Sequence, residues 1–224
     1  MSFTRIHMQE PCFLIAEDHP LVSAYLAELI EDQFPAHSKY IANTIEQTVV
    51  LIKKTPVDLL ILDINLEDGV SLSWIDTIKR LRPKIYVLVL SGLSEDSFGY
   101  RSIQMGADGF INKRASPEAI VNAIKTVMDG RKFLSAEIVD NLIKGAEKGA
   151  PKTESPFAFL SNREFEIAIM LMEGYSAVDI GRIMNVQRST VSTHKMSILK
   201  KLDVKNVIEL NNLGLQYNIK LTLS

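Results

Sequence analysis

Four short apolar runs in this chain each lead into a residue that can handle a phosphoryl group. The run 59–62 delivers Asp63, the run 12–16 delivers Glu17 and Asp18, the run 87–90 delivers Ser91, and the run 109–111 leads to Lys113. Short unbroken apolar runs of this kind read as parallel strands covered on both faces. Ligands of such sheets sit beyond the carboxyl ends of the strands. Acids, a hydroxyl and an ammonium therefore converge on one edge. A carboxylate nucleophile repels an incoming phosphoryl group, so neighbouring carboxylates that hold a divalent cation make chemical sense. Asp18, Asp63 and Glu17 are the candidate metal ligands. Lys113 is the point charge for the phosphoryl oxygens, and Ser91 is a hydrogen-bond donor to one of them.

The elements that must position these groups alternate. Pro20 opens a helix to about residue 34, and Thr44 with Gln47 forms a capping box ahead of an apolar-periodic stretch. A helix over 71–81 stops before Pro83, and a strand over 85–90 comes next. A helix over 95–105 ends at Gly106. Ser116-Pro117-Glu118 then places a cap and a first-turn proline ahead of a helix through Met128. Strict alternation with short connections predicts a doubly wound parallel sheet over 11–130. One more helix is expected over 135–148 and a linker over 149–156, rich in Pro, Ser and Thr. Beyond it the strands disappear and four helices are expected over 162–173, 177–185, 188–202 and 207–217. The division is a first domain over 1–132, a connecting helix and linker over 133–156, and a second domain over 157–224.

Length and charge agree with two unequal domains. The chain has 224 residues, 46% of them hydrophobic, and a net charge of -2. That small sum hides an asymmetry: residues 1–145 carry 15 basic and 19 acidic groups, residues 157–224 carry 8 and 6. Between 180 and 205, Arg182, Arg188, Lys195, Lys200, Lys201 and Lys205 face only Asp203. An acidic front fits metal or phosphate chemistry, and a locally basic back fits a polyanion. Cys12 is the single cysteine, in an apolar strand, which excludes a disulfide framework and a zinc site. The first ten residues lack the apolar stretch of a signal peptide, and no run approaches membrane-spanning length, so the expected location is the cytoplasm. Trp74 is expected to pack, and His7 and His37 receive no role.

The front part resembles the receiver domain of two-component response regulators, a flavodoxin-like five-stranded fold. The back part resembles the small all-α LuxR-type helix-turn-helix of the NarL/FixJ class. Glu17-Asp18-His19-Pro20 is similar to the family's acidic pair followed by His-Pro. Asp63 aligns with the phosphorylated aspartate, and Asn65 with the position whose backbone carbonyl joins the metal shell. Ser91-Gly92 aligns with the hydroxyl and small residue, Phe110 with the aromatic switch, and Lys113 with the family lysine. The resemblance implies Mg2+ as cofactor and a sensor histidine kinase or phosphotransfer protein as phosphodonor. Phosphate would draw Ser91 inward and let Phe110 rotate into the vacated space. The sequence departs from the family at Glu67, where a proline is usual, at Ser71, where a glycine is usual, and at Glu17, one methylene longer than aspartate.

In the back part, Leu160-Ser161-Asn162-Arg163-Glu164, Glu166, Glu173-Gly174-Tyr175-Ser176, Thr190-Val191, His194, Ile198 and Lys201-Leu202 resemble the LuxR-type motif. Ile167, Leu171, Ile180, Ile183, Val191, Ile198 and Leu202 form the expected apolar face. The polar face of 188–202 resembles a recognition helix for the major groove. Arg182, Arg188, Lys195, Lys200 and Lys205 are expected at phosphates. Ser192 and Thr193 are expected near base edges, Ser189 is a further expected DNA contact, and His194 is a positioning or phosphate-contacting residue. Lysines common in the family are replaced by Ser192 and Met196. The resemblance implies duplex DNA as target, a homodimer when active with the last helix near its axis, and RNA polymerase as a candidate partner. Two other readings use the same residues. One is a haloacid-dehalogenase-like phosphohydrolase, which wants an acid where Asn65 stands. The other is a phosphorylation-independent DNA-binding regulator with the front domain as dimerisation module.

Overall fold

The computed structural model describes residues 10–93, 95–134, 155–217 and 219. The helix expected over 135–148 and most of the linker lie outside these residues. Five parallel strands form the front sheet: β1 (Cys12–Ala16), β2 (Ser38–Ala42), β3 (Leu59–Leu62), β6 (Tyr86–Ser91) and β7 (Gly109–Asn112). Their order is β2-β1-β3-β6-β7. Between β3 and the third helix lies a small antiparallel pair, β4 (Asn65–Leu66) with β5 (Gly69–Val70), which the sequence pattern does not announce.

The helices start where the cap residues predict. α1 (Pro20–Gln33) opens on proline. At α2 (Ile45–Lys54) Thr44 Oγ1 accepts the Gln47 N–H at 3.1 Å, while Gln47 Oε1 accepts from Asn43 rather than from Thr44, so the capping box is shifted by one residue. α3 spans Trp74–Leu81, three residues shorter than expected at its start. The cause is Ser71, whose N–H bonds to the Ile64 carbonyl at 2.7 Å and whose Oγ donates to the Asp63 carbonyl at 2.6 Å, holding this stretch on the end of β3. α4 (Glu95–Gln104) and α5 (Pro117–Met128, capped by Ser116) complete the layer.

Side chains alternate across the sheet. Phe13, Ile15, Leu59, Ile61, Leu88 and Leu90 pack under α1 and α5. Leu14, Ala16, Leu60, Leu62, Val87 and Val89 face α2, α3 and α4. The second apolar cluster does not end at the front domain. It runs through Phe98 and Phe110 into Phe157, Phe165, Ile169 and Leu210 of the helical part. That part begins with a 3-10 turn at Pro156–Phe159. It continues as α6 (Asn162–Met172), α7 (Ala177–Ile183), α8 (Arg188–Lys201) and α9 (Val207–Gln216). A Cβ at Gly181 would lie 2.8 Å from the Val186 carbonyl oxygen, so only glycine lets α7 approach the turn into α8 this closely. Phe133 still pairs with Gly109 of β7, which keeps the chain on the front sheet up to that residue. Among the described residues no helix is long and apolar enough to cross a membrane.

Candidate functional site

Carboxyl-end loops of the sheet bring the expected acids together. Ligand atoms of Glu17, Asp18, His19 and Asp63 all lie within 4.8 Å of one another. Lys113 Nζ donates to Asp63 Oδ2 at 2.9 Å and pairs with Glu17 Oε2 at 2.7 Å. His19, which sequence reasoning left as part of a motif, belongs to the cluster: its Nδ1 lies 2.7 Å from Asp18 Oδ1 and 3.1 Å from Glu17 Oε1. Its place directly after the acidic pair was the available signal. Glu17 and Asp63 are buried and Asp18 is half-buried, so three carboxylates crowd a site whose cation is the half-buried Lys113.

Burial lifts the Asp63 carboxyl to about 7; Lys113 pulls it down, Glu17 pushes it up, and the Asn65 N–H pulls it down. Burial also works against the Lys113 ammonium, but the charges of Asp63 and Glu17 outweigh it and raise its pKa above the ordinary lysine value. The Asn65 Oδ1 atom is buried without a hydrogen-bond partner. A divalent cation fits this chemistry, since the donors are hard oxygens and the negative charge exceeds what Lys113 offsets.

Ser91 is the last residue of β6, and Phe110 lies inside the adjacent strand β7, where it is paired with Val89. Ser91 is buried, its Oγ accepts the Leu93 N–H at 3.3 Å, and its carbonyl accepts the Lys113 N–H at 2.9 Å. Phe110 is fully buried, so its ring already occupies the interior in this state. Glu67 is exposed. The loop that carries it is pinned by Asp68, whose two carboxylate oxygens accept the N–H groups of Ile45 and Glu46 at 2.7 and 3.0 Å, at the first turn of α2.

In the helical part α8 shows a buried side, Val191 and Ile198, and an exposed side that holds Arg188, Ser189, Ser192, Thr193 and Lys200; His194 and Lys195 are half-buried. Arg182 is exposed and lies 3.6 Å from Asp179, and Lys205 is exposed beyond α8. Lys201 is engaged elsewhere. Its Nζ donates to Glu164 Oε2 at 2.7 Å, and Ser197 Oγ donates to Glu164 Oε1 at 2.7 Å, so this carboxylate ties α6 to α8. Burial alone would raise the Glu164 carboxyl, but the bonds from Lys201, Ser197 and Ser161 bring it down to about 2. Glu164→Gln is expected to lower stability by about 1.5–3 kcal/mol at neutral pH, read by denaturant unfolding. The folded pKa is depressed, so this contribution is complete above about 4.5, the ordinary glutamate value, and is lost as pH falls towards 2. An unchanged midpoint at pH 7 would remove Glu164 from the α6–α8 tie.

The two parts touch through residues that no motif marks as contacts. Arg101 of α4 is buried and donates to the carbonyls of Phe157 and Leu160 at 2.6 and 3.0 Å and to Asn162 Oδ1 at 3.0 Å. Its guanidinium carbon sits 4.1 Å from the centre of the Phe165 ring, which also meets Phe98 edge-on at 5.0 Å. Burial brings Arg101 down to about 10, which leaves it charged at neutral pH. Beside it, Glu166 Oε1 accepts the Ser73 N–H at 2.5 Å.

Residues 13–125 match the family of response regulator receiver domains, and residues 158–213 match the luxR family of bacterial regulatory proteins. The chain belongs to the response regulator receiver family and joins that receiver to a LuxR-type DNA-binding domain. It is similar to the response regulator UvrY of Escherichia coli K12, 27% identical over 92% of this chain and 94% of the relative. It is also similar to the nitrate/nitrite response regulator protein NarP of the same strain, 29% identical over 91% and 94%. In fold it resembles the RcsB response regulator of Salmonella typhimurium, with a TM-score of 0.76, 22% identity, and 94% and 100% of the two chains covered. A second RcsB structure, from Salmonella enterica serovar Typhimurium and bound to promoter rprA in the presence of phosphomimetic BeF3-, gives 0.72 at 22% identity, covering 91% and 98%.

Proposed function

We propose that the chain is a two-component transcription regulator that accepts phosphate on Asp63 and, once phosphorylated, binds duplex DNA as a homodimer. The convergence of Glu17, Asp18 and Asp63 around Lys113 carries this reading. An Asp63 carboxylate oxygen would attack the phosphorus of a phosphohistidine on a sensor kinase or phosphotransfer protein. The P–N bond breaks, the leaving imidazole takes up a proton, and an acyl phosphate forms. A Mg2+ held by Glu17, Asp18, Asp63 and the Asn65 carbonyl would offset the repulsion between Asp63 and the donor. Lys113 pairs with a phosphoryl oxygen, and the Ser91 hydroxyl donates to another, drawing β6 and β7 towards the phosphate with Phe110 following. Asn65, two residues after Asp63, offers no carboxylic acid to hydrolyse the product, which favours a stored phosphate over turnover.

On the output side, α8 enters the major groove and α9 lies near the dimer axis, where Ile208 and Leu215 expose apolar surface about two helical turns apart. Arg182, Arg188, His194, Lys195, Lys200 and Lys205 are assigned to phosphates; Ser189, Ser192 and Thr193 lie against base edges. RcsB, bound to a promoter with a phosphomimetic present, supports this pairing of phosphate and DNA. The receiver is assigned to residues 1–132 and the DNA-binding domain to 157–224, acting in the cytoplasm. The test is incubation of the full chain with a phosphohistidine donor, with and without Mg2+, followed by measurement of DNA affinity. Metal-dependent label together with a rise in affinity is expected, and release of inorganic phosphate without stored label would replace this reading with hydrolysis. Within it, Lys200→Ala is expected to weaken specific and random DNA alike and to flatten the salt dependence by about one unit of slope. A changed sequence preference at constant slope would take Lys200 off the phosphates.

A further inference from the structure

The side of α8 turned away from the core is a stripe of Ser189, Ser192, Thr193, Met196 and Lys200, spaced as neighbours on one helical face, and all five are exposed. Met196 is the one large apolar side chain in the stripe and is 74% exposed. A scattered surface methionine would carry no message. Its surroundings do carry one.

The hydroxyls beside Met196 are turned back on their own helix. Ser192 Oγ donates to the Arg188 carbonyl at 3.1 Å, and Thr193 Oγ1 donates to the Ser189 carbonyl at 3.0 Å. Bonded in this way, they present their lone pairs rather than their hydrogens towards a base edge. The centre of the stripe also holds no amide or guanidinium that could make the two-point contacts by which adenine or guanine is read. Two cations bracket it. Arg188 and Lys200 are twelve residues apart, about 18 Å along the helix axis, and Met196 lies between them. With those charges at the backbones that border a groove about 12 Å wide, the middle of the helix faces the groove floor. The one base-edge group there that suits an unbranched thioether is the 5-methyl of thymine.

We propose that Met196 is a specificity-determining residue that packs on a thymine methyl in each half-site. The proposal rests on the reading of α8 as the groove-entering helix, and its test separates the two.

Duplexes are first selected from a random library by the phosphorylated full-length chain. Each thymine is then replaced singly by deoxyuridine, which deletes one methyl group and leaves pairing intact. For the wild type, one thymine per half-site is expected to lose about fourfold in affinity on replacement, the worth of one buried methyl-sized group. Met196→Ala is expected to bind thymine and uracil duplexes equally while keeping the wild-type affinity for random DNA. Because the side chain is exposed, its melting temperature is expected to be unchanged. Met196→Lys is expected to move the selected base at that position towards guanine. Uracil sensitivity at no thymine overturns the assignment, as does the same sensitivity in wild type and Met196→Ala. If the wild type binds no duplex at all, the groove-entering role of α8 falls and Met196 falls with it.

Discussion

An Asp63→Asn chain given a small-molecule phosphodonor and Mg2+ is expected to take up label at least about a thousandfold more slowly than the wild type. Removing a single transition-state donor already costs about 10²–10³, and here the nucleophile itself is removed. Glu17 is no substitute, because one of its oxygens pairs with Lys113 and the other meets His19. The same substitution is expected to stabilise the protein in metal-free buffer. Burial lifts the Asp63 carboxyl to about 7 in the fold, above its ordinary value, so ionisation works against folding. That cost is absent below about pH 4, grows through the interval to 7 and is complete above it, at roughly 2–4 kcal/mol. Asparagine carries no such cost. At pH 8 without metal, Asp63→Asn is expected to melt higher than the wild type, and Mg2+ is expected to close much of the gap by binding the folded wild type more tightly. Wild-type labelling in the variant would sink the assignment of Asp63. A lower metal-free melting temperature would sink the account of a charge-crowded pocket.

That pocket was legible in the sequence because parallel strands write themselves as unbroken apolar runs, and the residues at the end of each run must lie at one edge of the sheet. Cap residues likewise announced helix starts at Thr44 and Ser116, each of which accepts the backbone N–H three residues on; Ser161, Ser176 and Asn206 cap their helices in the same way without having been singled out as starts. Local patterns stop there. Asp68 caps a helix that begins 23 residues before it. Lys201 counts as one more cation in a basic stretch until its partner, Glu164, 37 residues away in the chain, is seen. The contact between the domains is less legible still, since Glu166 bonds across 93 residues and Arg101 across 56 to 61. Within α4 and α6 these two look like ordinary polar positions. Periodicity identifies which side of a helix is apolar, but α6 is buried all round, one side on its own domain and the other on the receiver.

Arg101→Ala is expected to free the DNA-binding domain from the receiver. The substitution leaves the Phe157 and Leu160 carbonyls and the Asn162 amide oxygen without the donor they share, and it removes the cation above Phe165. Charged hydrogen bonds contribute about 1.5–3 kcal/mol each and a cation over a ring about 0.5–2, so a loss of roughly 3–5 kcal/mol to docking is expected after partial rehydration. Hydrogen exchange is expected to accelerate across α6 and across Ser73 and Trp74 while the centre of the receiver sheet stays protected. Arg101→Lys should recover only part of the loss, because one ammonium cannot span three acceptors held by a planar guanidinium. Glu166 supplies the opposite lever. Burial lifts its carboxyl to about 7, against the bonds from Ser73 and the charge of Arg163, so docking favours the protonated form. Docking is therefore strongest below about pH 4.5, weakens as pH rises through 7, and is constant above. Glu166→Gln is expected to remove that dependence and to protect α6 at pH 8. The stripe of α8 proposed to meet DNA is exposed in the docked arrangement, so docking would fix the direction in which that helix points rather than cover it. Two copies then reach paired half-sites only if the docked angle suits their spacing. Arg101→Ala is accordingly expected to bind a single half-site as the wild type does and to tolerate altered spacing between two. Unchanged exchange across α6 in Arg101→Ala would show that the apolar contact of Phe98 with Phe165 holds the domains without it.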